Sequence, residues 1–238
     1  MKKTTVAAFT LIELLIVITI IAVLASIALP AFTGVKERGD QTKDLSNAKQ
    51  IALALRQFAI DNNGTYPAKK PSGDYSTATA LATGDNSNDA FWWLFPNYLQ
   101  SEQIFAVAGS AYTPTNPDNR LDATTATTRT NTLAVNENSF AYVSGLADTS
   151  NPTFPLLADG FASPPGTYSV NKSQKGGVWS GKKAVVVLCD ASGQLMPVDA
   201  TTHQVMRKDA SGTKVNMFTG TSDGSWIDTG ANPVLNPQ

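Results

Sequence analysis

The chain has 238 residues, which is enough for one sizeable cored domain but short for two. It carries 18 Lys and Arg against 19 Asp and Glu, with no basic block beyond its first residues, so nothing in the charge pattern indicates a nucleic-acid-binding surface. The single cysteine, Cys189, excludes an intrachain disulfide and a cysteine-rich metal site. Cys189 and the single histidine, His203, lie in no nucleophile motif, so the sequence favours a non-enzymatic role.

The N-terminal region is a long apolar run behind a short basic start. The chain begins Met1-Lys2-Lys3, and no charged residue occurs from Leu14 to Phe32. A helix needs about 20 apolar residues to cross a bilayer, whereas the apolar part of a cleaved secretory signal is usually about 7 to 15 residues long. The run therefore predicts a membrane-spanning helix. An ordinary signal peptide cleaved after Ser26-Ile27-Ala28 is the alternative.

Glu13 is the exceptional residue of this region, because it places a carboxylate at the start of the apolar run. An isolated carboxylate at the centre of a membrane helix costs about 2.5 to 3.5 kcal/mol, so a partner is expected. If the chain is cut between Ala8 and Phe9, Glu13 lies one helical turn from the new α-amino group. The amine of Phe9, in the same chain or in a neighbouring subunit, is the predicted partner.

The segment Ala8-Phe9-Thr10-Leu11-Ile12-Glu13-Leu14-Leu15 resembles the processing and methylation signature of type IV pilins and type II secretion pseudopilins. The resemblance implies a leader of residues 1–8, cleavage between Ala8 and Phe9 by a prepilin peptidase, N-methylation of Phe9, and an assembly role for Glu13. The family usually has glycine at the position of Ala8. The implied partners are further copies in a helical homopolymer, other pilin-like subunits and an inner-membrane assembly platform, with no nucleic acid required for folding.

The same helix is predicted to continue beyond the apolar run. Pro30 removes a backbone hydrogen bond and clashes with the preceding turn, so a kink or a melted turn is expected there. Asn62-Asn63-Gly64 and Pro67 then end the helix. The helix is thus predicted over residues 9–62, with about 9–32 as membrane span and filament core. Its second half carries one apolar stripe for packing against the head, formed by Leu45, Ala48, Ile51, Ala52, Leu55, Phe58 and Ala59.

Residues 63–238 are predicted to form the globular head. The aromatic cluster from Asp89 to Leu99 predicts a short helix capped by Asp89 and interrupted near Pro96. Trp92 and Trp93 are interpreted as core residues, with a carbohydrate-binding platform as the alternative. The polar segment from residue 113 to residue 138 predicts a long surface loop.

Strand signals follow this loop. Residues 140–143 predict a strand, and residues 184–189 with 194–198 predict a hairpin in which Cys189 packs as a small hydrophobe. The predicted fold class is α+β: a long N-terminal helix, half in the membrane and half amphipathic, on a small antiparallel sheet. This pilin-like arrangement is also what the resemblance implies.

The functional hypothesis is a structural subunit of a type II secretion pseudopilus, which polymerises through its N-terminal helix to drive export of folded proteins. The alternatives are a major or minor pilin of a surface type IV pilus for adhesion, motility or DNA uptake, and a membrane-tethered binding module or enzyme. The resemblance implies a single-pass inner-membrane protein with a periplasmic head. Calcium is the only cofactor considered, at Asp223 and Asp228 beside a Gly turn.

The first prediction concerns maturation. Mass spectrometry of the native protein should show a chain that starts at N-methylated Phe9, because the processing signature lies there. A mature chain starting at Leu29, after Ser26-Ile27-Ala28, would instead indicate an ordinary secretory signal.

Overall fold

The computed structural model describes residues 9–123, 125–221, 225–228 and 230–238, without the side chains of residues 30 and 31. The predicted leader, residues 1–8, and the calcium candidate Asp223 lie outside this description. The chain divides into two compact units, Met1–Asp40 and Gln41–Gln238, which are described separately below.

The first helix, α1, extends over Leu11–Asp61 and confirms the long N-terminal helix predicted from the sequence. Its backbone is helical without interruption through residue 30, so no turn is melted there, and a kink at Pro30 stays a prediction. The predicted stop signal is confirmed at the other end. Asn63 and Gly64 take positive φ angles of 54° and 78°, and the Gly64 N–H donates to the Ala59 carbonyl at 2.8 Å.

The first unit presents apolar side chains on every face of α1. Each side chain from residue 9 to residue 29 is exposed. By length and composition α1 can cross a membrane, and no part of its most apolar segment is buried. The hydroxyl groups of Thr19 and Ser26 donate to the carbonyls of Ile16 and Val23, each at 2.7 Å. These hydroxyls therefore add no unsatisfied donor to the apolar surface.

The second unit is built on an antiparallel sheet. Within the described residues its strands are β1 Phe140–Val143, β2 Pro155–Asp159, β3 Lys183–Leu188, β4 Gly193–Pro197 and β7 Val234–Leu235, in the order β4-β3-β2-β1-β7. β5 Met206–Lys208 and β6 Lys214–Asn216 form a separate antiparallel pair. The strand at residues 140–143 and the β3–β4 hairpin are confirmed, and Cys189 is buried directly after β3.

The apolar stripe of α1 and the inner residues of the sheet form one hydrophobic core. Ile51, Leu55 and Phe58 are buried, which confirms the predicted packing face, while Leu45 is only partly buried at its margin. The helix also lies close to the β3–β4 hairpin. A Cβ atom at Gly193 would come within 3 Å of the Lys49 and Leu45 side chains, so glycine permits this approach. The α+β fold class is therefore confirmed.

The short helix of the aromatic segment begins earlier than the sequence indicated. The short helix α2 covers Ser87–Phe91 and is followed by a 3-10 turn at Trp92–Leu94, so it ends before Pro96 as predicted. Its N-cap, however, is Asn86, whose side-chain oxygen accepts a hydrogen bond from the Asp89 N–H at 3.0 Å. The prediction of Asp89 as the cap was wrong. Asp89 instead pairs with Arg129 at 2.8 Å.

The predicted loop at residues 113–138 has no helix or strand among its described residues, as expected, but it is not merely a surface feature. Leu133 and Asn138 are fully buried. The Asp122 carboxylate accepts hydrogen bonds from the Asn131 N–H at 2.8 Å and from the Trp92 indole N–H at 3.1 Å. Polar side chains thus fix this segment where ladder hydrogen bonds are missing.

A pair of buried carboxyl groups lies between α1 and the sheet, and no pattern in the sequence indicated it. Asp44 on α1 faces Asp159 at the end of β2, and both residues are at most 2% exposed. The Asp159 Oδ2 atom accepts hydrogen bonds from the Trp179 indole N–H at 2.9 Å and the Val185 N–H at 2.8 Å. These two donors stabilise a negative charge on Asp159, so Asp159 is the ionised member of the pair and Asp44 is the protonated one.

Burial raises the pKa of Asp159 to about 6 and raises the pKa of Asp44 well above its ordinary value, with the Asp159 charge adding to the effect on Asp44. Tyr168, whose pKa burial also raises, lies beside the pair. The native state binds more protons at this pair than the unfolded state does. The contribution of the pair to the free energy of unfolding is therefore fully present below about pH 4 and is lost as the pH rises through the native pKa values.

We therefore predict that Asp44→Asn, which removes one ionisable carboxyl and can still donate to Asp159, makes the protein more stable at pH 8 by about 1 to 3 kcal/mol. The free energy of unfolding in detergent, followed by tryptophan fluorescence between pH 5 and 8, should depend less on pH than in the wild type. Asp40→Asn, four residues earlier on α1, is the matched control. The same pH dependence of the free energy of unfolding in the wild type and in Asp44→Asn would contradict the prediction.

A third prediction concerns the unit from Gln41 to Gln238. A fragment of residues 35–238 lacks the exposed apolar region but keeps the buried stripe, so it should be soluble, fold cooperatively and remain largely monomeric. Size-exclusion chromatography with light scattering and thermal unfolding measure this. Ile51→Asp in the same fragment should abolish folding, because it places an unpaired charge in the core. Native-like filaments from the fragment would show that head contacts suffice for assembly.

Candidate functional site

The candidate site is the first turn of α1, where the predicted processing and assembly residues meet. Thr10 precedes the helix, and Glu13 is the third helical residue. The Glu13 Oε2 atom accepts hydrogen bonds from the Thr10 N–H at 2.9 Å and from the Thr10 hydroxyl at 2.7 Å, and the Glu13 N–H donates to the Thr10 Oγ1 atom at 3.3 Å. These contacts form a capping box, which satisfies donors that an uncapped helix end would leave unpaired.

This geometry gives Glu13 a partner that the sequence analysis missed. The signal was present as Thr10-Leu11-Ile12-Glu13, since Thr followed by Glu three residues later is the capping-box pattern. Both bonds from Thr10 end on Oε2, so the Oε1 atom of the same carboxylate can accept a further donor. The pairing of Glu13 with the amine of Phe9 stays a prediction.

The position of Phe9 is compatible with its predicted roles in cleavage and methylation. Phe9 lies outside the helix, directly before the cap, and its side chain is 75% exposed. A processing enzyme therefore meets an exposed residue that lies outside the helix at this point. Ala8, on the other side of the predicted cleavage site, lies outside the described residues, so the cleavage itself stays a prediction.

The other candidate residues are placed differently. Trp92 is buried, and its ring meets that of Trp93 edge-on at 89°, so the two form no flat platform for a sugar ring. Burial raises the pKa of the Cys189 thiol to about 12, which makes it a poor nucleophile. Asp228 is exposed and accepts a hydrogen bond from the Gly230 N–H at 2.9 Å. Calcium at Asp223 and Asp228 stays a prediction.

Residues 4–29 match the model of the prokaryotic N-terminal methylation motif. This interval contains Ala8, Phe9, the capping box and most of the apolar run. The match therefore covers the same turn that the geometry identifies, and it supports the predicted resemblance independently of the head.

Curated relatives match part of the chain. Type II secretion system core protein G of Aeromonas hydrophila is 38% identical over 74 residues, which are 31% of this chain and 51% of that protein. Core protein G of Escherichia coli K12 is 42% identical over 55 residues, 23% of this chain and 38% of that protein. A type IV major pilin of Neisseria gonorrhoeae is 36% identical over 73 residues, 31% of this chain and 34% of that protein.

The chain spans about half the length, or less, of these curated relatives. No solved structure matches the chain. The match at residues 4–29 confirms that the chain carries a prokaryotic N-terminal methylation motif. The relatives confirm the predicted resemblance to type II secretion pseudopilins and type IV pilins.

Proposed function

We propose that this chain is a pseudopilin-like structural subunit, which polymerises through α1 into a type II secretion pseudopilus. The observation that carries the proposal is the exposed apolar surface of residues 9–29, headed by a capped carboxylate. A continuous apolar surface of this size requires a cover in water. Lipid supplies that cover before assembly, and the α1 helices of neighbouring subunits supply it in the filament.

Glu13 gives this assembly its direction and register. The capping box holds the Glu13 carboxylate at the N-terminal end of α1, where the helix dipole favours an anion. When the chain is cut before Phe9, the new amine is a cation at the same depth. A Glu13 carboxylate that accepts this amine from an adjacent subunit removes two unpaired charges from an apolar layer at once.

The pseudopilus is favoured over the surface pilus by the relatives and by the cysteine count. Core protein G recurs among the relatives, beside one major pilin. The single cysteine also excludes an intrachain disulfide, which closes the C-terminal loop in many long-pilus pilins. A surface type IV pilus is the second candidate. Secretion genes beside the coding sequence would favour the pseudopilus, and long fibres on the cell surface would favour the type IV pilus.

In this proposal the protein is a single-pass protein of the bacterial inner membrane, with residues 41–238 in the periplasm. A prepilin peptidase removes residues 1–8, and an inner-membrane assembly platform adds the subunit to the filament. The buried Cys189 and the absence of a nucleophile motif in the sequence agree with a structural role rather than catalysis.

The test separates the charge of Glu13 from its capping role. Glu13→Ala should be inserted and processed but fail to polymerise, because deleting one member of a buried pair costs about 3 to 5 kcal/mol and about 1.4 kcal/mol already shifts each addition tenfold. Glu13→Asp should be intermediate, since its side chain is shorter. Filaments sheared from cells that overproduce each variant are counted by electron microscopy, beside an immunoblot for processed subunit.

Two matched variants make the result specific. Glu13→Gln keeps an oxygen that can accept from Thr10 but has no charge, so its filament yield should fall at least tenfold, as for Glu13→Ala. Thr10→Ala removes the capping hydroxyl and keeps the carboxylate, so it should assemble. Normal filament yield from Glu13→Gln would show that the charge does not direct assembly and would overturn this part of the proposal.

A further inference from the structure

Three carboxylates from distant parts of the sequence meet in the second unit. Glu102, Asp118 and Glu137 each place a carboxylate oxygen within 4.8 Å of the oxygens of the other two. Glu102 begins a short 3-10 helix, Glu102–Phe105, whereas the other two residues lie in the long irregular segment before β1. This trio, called here the acidic cluster, lies outside the N-terminal site and outside the C-terminal loop of Asp228.

Backbone hydrogen bonds hold the acidic cluster together in spite of its like charges. The Asp118 N–H donates to the Glu137 Oε1 atom at 3.0 Å, and the Ala134 N–H donates to the Oε2 atom at 2.8 Å. The Glu102 N–H donates to the Asn119 side-chain oxygen at 2.8 Å. The cluster is therefore positioned by the fold rather than by mutual attraction of its side chains.

The Glu102 side chain supplies a second, independent observation. Glu102 is 0% exposed, and its Oε1 atom accepts a hydrogen bond from the Leu133 N–H. Its Oε2 atom is buried and has no hydrogen-bond partner. A buried, unpartnered carboxylate oxygen that faces two more carboxylates is costly unless a cation or a proton compensates it.

We propose that the acidic cluster binds one calcium ion, with Glu102, Asp118 and Glu137 as its protein ligands. The donor set is composed of oxygen alone, which suits a hard cation and not zinc. Calcium–oxygen distances are about 2.3 to 2.6 Å, so ligand atoms on opposite sides of the ion lie about 5 Å apart, whereas magnesium requires about 4 Å. The three oxygens all lie within 4.8 Å of one another, a span that the ligands of a single calcium ion can occupy.

The ion would also have an entry path and a structural effect. Asp118 is exposed and Glu137 is half-buried, so solvent reaches the cluster from one side while Glu102 closes the other. An ion held by all three residues fastens the segment between Glu102 and Glu137, whose described residues have no helix or strand after Phe105. The binding energy therefore appears as thermal stability of the second unit.

The experiment uses the full chain in detergent micelles. Isothermal titration with CaCl2 should show one saturable site with a dissociation constant in the range of about 10⁻⁴ to 10⁻³ M, typical of extracellular modules. Addition of about 5 mM CaCl2 after chelation should raise the melting temperature by about 5 °C, and MgCl2 should raise it less. Absence of saturable calcium binding would overturn the proposal and leave a proton as the compensating charge.

Three variants locate the ion. Glu102→Gln replaces the buried carboxylate with a neutral group of the same shape, so it should fold without calcium but lose the calcium-dependent shift. Asp118→Asn changes an exposed side chain, which leaves folding intact, and it should weaken binding at least tenfold. Asp228→Asn should keep both binding and shift. Calcium binding that persists in Glu102→Gln, or that disappears in Asp228→Asn, would place the ion elsewhere and refute this site.

Discussion

The structure depends on one helix, α1, whose two halves require different surroundings. From residue 11 to residue 29 the side chains of α1 are apolar or locally hydrogen-bonded, and all are exposed. From Ala48 to Ala59 the apolar side chains occupy one buried stripe. A helix that is apolar on every face is stable only in an apolar medium, whereas a striped helix needs a partner surface. The rest of the second unit supplies that surface for the stripe. In the proposed function, the bilayer or the filament supplies the apolar surroundings of residues 9–29.

At the start of α1 the problem is electrostatic rather than hydrophobic. A carboxylate in an apolar layer requires hydrogen-bond donors both in the single subunit and between subunits. Thr10 provides them locally, so Glu13 is not stranded in the single subunit, and the carboxylate still has an oxygen to offer to a cation from outside. In the proposed function, such a carboxylate is stable before assembly and can still accept a donor from a neighbouring subunit, because its local partner does not exhaust its capacity to accept hydrogen bonds.

The sequence predicted the features that repeat with a period or follow from backbone chemistry. Periodicity identified α1 and its stripe, residues that tolerate a left-handed backbone marked its end at Asn63 and Gly64, and runs of β-prone residues marked β1 and the β3–β4 hairpin. Features made by single side chains across long separations were missed. The Asp44–Asp159 pair and the acidic cluster join residues with no local pattern, and the cap of α2 shifted to Asn86 because capping depends on side-chain geometry.

The edge strands of the sheet influence how heads interact when many of them lie close together. Filament subunits stand side by side at very high local concentration, where an open strand edge invites pairing with a neighbour and irreversible aggregation. Here the edge strand β7 has only the two residues Val234–Leu235, and the opposite edge strand β4 ends in Pro197, which has no N–H to donate. In the proposed filament, edges of this kind limit strand pairing between neighbouring heads, which favours association through α1 over fusion into a continuous β-structure.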